Sequence, residues 1–121
     1  MPQPPVVRRV KSYSGESGYV YQYYFHEIVK SQRGGQPGNE YVYMVSADRK
    51  TQFPLRIFVS RAAVDAWART AGRELTGTEE YAAAKMRLFQ AFDGLEDLAT
   101  EAADLRVDES NLDTLLDKLG M

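Results

Sequence analysis

Five of the seven residues in the run YVYQYYF, from Tyr19 to Phe25, are tyrosine or phenylalanine. Aromatic side chains favour strands, and on a strand alternate residues face opposite sides. The odd positions are Tyr19, Tyr21, Tyr23, Phe25, Glu27 and Val29, a nearly continuous aromatic side. Phe53, Leu55, Ile57 and Val59 offer a matching apolar side further on. These two sides are expected to face a helical layer carrying Trp67, Leu88 and Phe92, each large side chain contributing roughly 1.5–3 kcal/mol when buried.

The even positions are Val20, Gln22, Tyr24, His26, Ile28 and Lys30. They are not an ordinary solvent face, because Val20, Tyr24 and Ile28 alternate with the polar residues, and neighbouring strands add Val42, Met44 and Phe58. A contiguous apolar patch of this kind marks an interface. Another copy of the sheet, the C-terminal helix or a ligand could cover it. A self-complementary twofold dimer is the leading expectation, and it would protect an aggregation-prone strand.

The rest of the chain supplies a frame for that strand. Residues 1–5 read as a loose tail, and Val6, Val7 and Val10 between Arg8, Arg9 and Lys11 read as a first strand ending in a turn over 14–18. The second strand spans 19 to about 31, and QRGGQPGN over 32–39 reads as a mobile loop. EYVYMVSA and FPLRIFVS, at 40–47 and 53–60, complete an antiparallel meander. At Ser60 the period changes. Ser60 is an N-cap, Val64, Trp67, Ala68 and Ala71 share a helix face, and Gly72 ends it. Thr76 and Glu79 have capping-box spacing for a helix bearing Tyr81, Ala84, Leu88 and Phe92. Helical spacing resumes at Leu95, Leu98, Ala99 and Ala102, either continuous with that helix or kinked at Gly94. A linker-like RVDES precedes a last helix that buries Leu112, Leu115, Leu116 and Leu119 and could dock on another subunit.

The predicted class is therefore α+β: a four-stranded antiparallel sheet followed by three or four helices on one face. With 121 residues, the chain is read as one domain, with a β half over 6–60 and a helical half over 61–121. No cysteine is present, which removes disulfides, thiolate metal sites and a cysteine nucleophile. MPQPPVVRRV lacks a secretory apolar run and nothing approaches a membrane span, so a soluble, cytoplasmic protein without membrane contact is expected.

Catalytic chemistry finds no support in these residues. His26, the only histidine, is followed by Glu27, which alternation would turn to the opposite face. No spacing suits zinc, and GGQPG at 34–38 lacks the Gly-Lys-Ser/Thr of a phosphate loop. The acidic pairs Glu79–Glu80 and Glu96–Asp97 read as helix surface. Arg61 reads as a surface residue partnered by Asp65. No catalytic, cofactor or metal residue is assigned, and an enzyme ranks third among the readings.

Charge suggests another class. Residues 1–61 carry +5 and residues 62–121 carry −7, a pattern that two attracting layers would explain. A basic, tyrosine-bearing sheet also suits single-stranded nucleic acid, where each stacked base is worth about 1–3 kcal/mol. Arg8, Arg9, Lys11, Tyr13, Arg33, Arg49, Lys50 and Arg56 are the candidate contacts, with Tyr24 and Lys30 beside them. In outline, four antiparallel strands followed by helix resembles the Whirly and Pur-type single-strand binders. That likeness of architecture transfers no residue roles. The sequence thus favours a homodimeric, non-enzymatic interaction module, with single-stranded nucleic-acid binding as the alternative.

Overall fold

Two glycines set the geometry of the sheet. In the computed structural model, which describes residues 10–15, 20–48, 50–94 and 105–118, strands β2 (Val20–Arg33) and β3 (Gln36–Ser46) are joined by Gly34 and Gly35 alone. Their φ values of +57° and +78° give the left-handed two-residue turn whose twist matches that of the strands it joins. The stretch 32–39 is therefore not a mobile loop. Gln32 pairs with Pro37 and Ser31 with Gly38 in the ladder itself. Gly38 is needed there, because a Cβ would sit 2.3 Å from the Val59 carbonyl oxygen and 2.6 Å from the Phe58 ring.

β1 (Lys11–Ser14) pairs antiparallel with β2, and β4 (Phe53–Ser60) pairs antiparallel with β3. The meander is extended by a short fifth strand, β5 (Leu105–Val107), parallel to β4, giving the order β1-β2-β3-β4-β5. The RVDES stretch is accordingly no simple linker. It holds the end of β5 and a turn in which Asn111 donates to the Arg106 carbonyl at 2.8 Å and accepts from the Asp108 amide at 2.9 Å. The expected strand from Val6 and the expected helix over 95–104 lie outside the described residues.

Three helices are described. α1 (Arg61–Ala71) starts where Ser60 accepts from the Ala63 amide, and it ends at Gly72, whose φ of +75° lets its N–H reach the Ala68 carbonyl. α2 (Gly77–Gly94) opens with the reciprocal capping box: the Glu79 amide donates to Thr76 Oγ1 at 3.1 Å, and the Thr76 amide donates to Glu79 Oε1 at 2.9 Å. Arg73, paired with Glu79 at 2.7 Å, and next the Thr76 amide hold that carboxyl down at about 2. α3 (Leu112–Lys118) buries Leu112, Leu115 and Leu116 in its own chain's core. That stripe is used within the chain's own core, while Asp113, Thr114, Asp117 and Lys118 are exposed; Leu119 lies outside the described residues.

The core lies between the sheet and these helices. Tyr21 stacks on Phe92 at 4.5 Å and Tyr13 on Phe89 at 4.4 Å, while the Tyr13 hydroxyl donates to Asp93 at 3.0 Å. Leu88 and Phe92 are fully buried, as their spacing predicts; Trp67 packs at the margin, and Ala63 is the buried residue of α1.

Candidate interaction surface

The alternation read from the sequence holds along β2 only as far as Phe25. Phe25 pairs with Tyr43, but Glu27 pairs with Val42, and the register shift between them is a β-bulge at His26. Tyr21, Tyr23 and Phe25 accordingly face the helices, whereas Glu27, Val29, Ser31 and Arg33 turn to the other side. The proposed even face is split. Val20, Gln22 and Tyr24 stay on the side away from the helices, while Ile28 and Lys30 come round to the helix side. The bulge also brings His26 Nε2 to 4.0 Å from Glu27 Oε1, contrary to the expected opposition, in an exposed contact worth little in energy.

The same strand changes its edge at nearly the same place. β1 pairs only with Val20–Tyr23, so the ten residues from Tyr24 to Arg33 present an edge that no described strand covers. Ile28 and Val29, near the middle of that edge, are 50% and 37% exposed.

The face away from the helices is not uniformly wet either, since Val42 and Phe58 are buried. Glu40, also buried, accepts from Arg33 Nε and Nη2 at 3.2 and 3.1 Å and from Arg56 Nη1 at 3.3 Å. Arg33 lies 5.3 Å over the Phe58 ring and donates to the Leu105 carbonyl, reaching from β2 to β5 as the sheet curls. The cluster satisfies a buried carboxylate through charge-assisted bonds. Sequence reading assigned both arginines to a ligand and missed Glu40, although Glu40 alternates with Val42 and Met44 on β3.

The remaining basic candidates do not assemble into one surface among the described residues. Arg8, Arg9 and Arg49 lie outside them. Tyr13 is turned inward onto Phe89. Lys11 lies beside Lys85, whose amine sits 6.0 Å over the Tyr23 ring; burial, and then Lys11, push the Lys85 pKa down. Lys50 is exposed in the β3–β4 turn, its amide donating to Asp48 at 2.8 Å. Glu80, read from the sequence as surface, accepts instead from the Tyr41 hydroxyl and from Asn39 Nδ2. Burial and that carboxylate push the Tyr41 pKa far up. Burial followed by Tyr81 does the same for Tyr43, whose hydroxyl has no partner at hydrogen-bonding geometry among the described residues.

Among the described residues no three histidine, aspartate or glutamate side chains converge as metal ligands, and no helix is long and apolar enough to cross a membrane. No known protein family, curated protein or solved structure matches the chain.

Proposed function

We propose that the protein is a non-enzymatic interaction module that pairs with a second copy of itself along β2, around the exposed Ile28 and Val29. The observation that carries this reading is the ten-residue edge from Tyr24 to Arg33, with Ile28 and Val29 exposed at its centre. An edge of this length, beside which no described strand lies, is one that folded proteins cover or interrupt. A twofold axis near Ile28 and Val29 brings apolar side chains together at the middle of an antiparallel pair and uses the same patch on both copies. Strand addition supplies main-chain hydrogen bonds, and the side chains on each face supply selectivity. The interface thus moves from the sheet face to the sheet edge, and α3 takes no part in it.

Sedimentation of the full chain at tens of micromolar tests the proposal, together with amide hydrogen exchange along residues 24–33. A dimer that dissociates in the Ile28→Lys chain, with slow exchange at the edge only in the dimer, is the expected result. A monomer would overturn the proposal, and edge amides equally protected in the monomer would show that the edge is covered from within the chain. Salt-sensitive binding of mixed-sequence single-stranded DNA by a chain that stays monomeric would favour the nucleic-acid reading instead.

A further inference from the structure

We infer that the corner where the β2–β3 tip meets α1 and α2 is a binding site for a small zwitterion of the α-amino-acid class. Two adjoining cavities of about 390 Å³ and 500 Å³ share Arg61 and Glu80 in their walls, and each has the size of a small-molecule site. The first is walled by the hairpin tip and includes Lys30 and Asn39; the second lies along α1 and the α1–α2 link and includes Val64 and Leu75.

Glu80 is oriented for a ligand. Both of its described hydrogen bonds, from Tyr41 and from Asn39, go to Oε2. Among the described residues no donor reaches Oε1, so a carboxylate fixed by two neighbours keeps one oxygen for a third. The cations on the same walls are also incompletely used. Arg61 gives only Nε to Asp65, at 3.3 Å, and Lys30 forms no ion pair among the described residues. A lone anion would meet Glu80, and a lone cation would meet Lys30 and Arg61. A molecule with both charges satisfies each: its ammonium donates to Glu80 Oε1, its carboxylate accepts from Arg61 and Lys30, and an apolar side chain lies against Val64 and Leu75. Complementary placement of both signs is what gives such a site its selectivity. Lys30 also belongs to the β2 edge, whereas Arg61 and Glu80, which both cavities share, do not.

The test is a titration of the full chain with L-leucine, followed by ¹H–¹⁵N NMR, beside N-acetyl-leucine, which lacks the ammonium, and leucinamide, which lacks the carboxylate. Saturable shifts at Asn39, Arg61 and Glu80, with a Kd of about a millimolar or tighter, are expected for leucine. Each analogue should bind about tenfold more weakly or worse, because one charge of the site then loses its partner. Glu80→Gln should weaken leucine binding to a similar degree. Arg61→Gln, at a solvent-exposed position that leaves the core intact, should do so as well and keeps the test open if the Glu80 variant fails to fold. Absence of saturable shifts with leucine, equal binding of N-acetyl-leucine, or unchanged affinity in Arg61→Gln would overturn the inference.

Discussion

The two halves of β2 form one continuous strand, yet they are built for different surroundings. The strand pairs with β1 from Val20 to Tyr23 and with β3 from Gln22 onward, and it buries Tyr21 and Tyr23 beneath α2. Beyond the bulge at His26 it has one described neighbour, and most of its side chains meet solvent. Its main tertiary anchor is Arg33, at the far end, held by Glu40 and the Leu105 carbonyl. The bulge therefore lets one strand both complete a core and project an edge past it.

Alkali should give the largest effect, and it acts through the aromatic half. The phenols of Tyr23, Tyr41 and Tyr43 have raised pKa values, in each case chiefly because of burial. A group whose folded pKa lies above its unfolded value stabilises fully below the unfolded value, here 10.0, and loses that contribution as pH rises past it. The fold should thus collapse cooperatively above pH 10, with tyrosinate absorbance rising together with the loss of circular dichroism. Separate, non-cooperative ionisation of these phenols would show that they are not buried in the folded chain.

Tyr21→Ala comes next. It empties the space against Phe92 and should cost about 3–5 kcal/mol in denaturant unfolding. Glu40→Ala should cost about 2–3 kcal/mol, less than the loss of a fully buried pair, because the Arg56 side chain is 52% exposed. Arg33 nonetheless loses its carboxylate contact, and the free energy of hairpin opening read by hydrogen exchange at residues 29–33 should fall more than the global value. Ile28→Lys should change global stability by no more than about 0.5 kcal/mol while abolishing self-association. A core-sized loss at Ile28 would erase the distinction between the two halves.

Much of the fold is legible in the sequence wherever local chemistry decides it. Ser60, Gly72 and the Thr76–Glu79 pair each act within a single helical turn, and each lies where the pattern places it. The hairpin tip is misread because three glycines and Pro37 look like a loose segment. The decisive signal is narrower: an adjacent glycine pair between extended flanks. The bulge is not legible, because it depends on how Glu27 meets Val42 across the ladder rather than on any residue of β2 alone. β5 is hidden for a related reason, since three residues carry no readable period and their partner strand lies far away in sequence. The candidate surfaces suffer most. Arg33, Arg56 and Glu40 come together only through the curl of the sheet, and Glu80 becomes an oriented carboxylate only once Tyr41 and Asn39 stand opposite it.

The parallel pairing of β5 with β4 bears on the order in which the chain assembles. Hairpins β2–β3 and β3–β4 join neighbouring segments, so little chain entropy is lost in closing them, whereas β5 reaches β4 only after the whole α1–α2 pair has been traversed. The Arg33 bond to the Leu105 carbonyl and the burial of α3 are then among the last native contacts to form. Until they do, the β4 side of the nascent sheet lacks its β5 neighbour, and this late closure is the interval in which that side is most exposed to mispairing with other copies during synthesis.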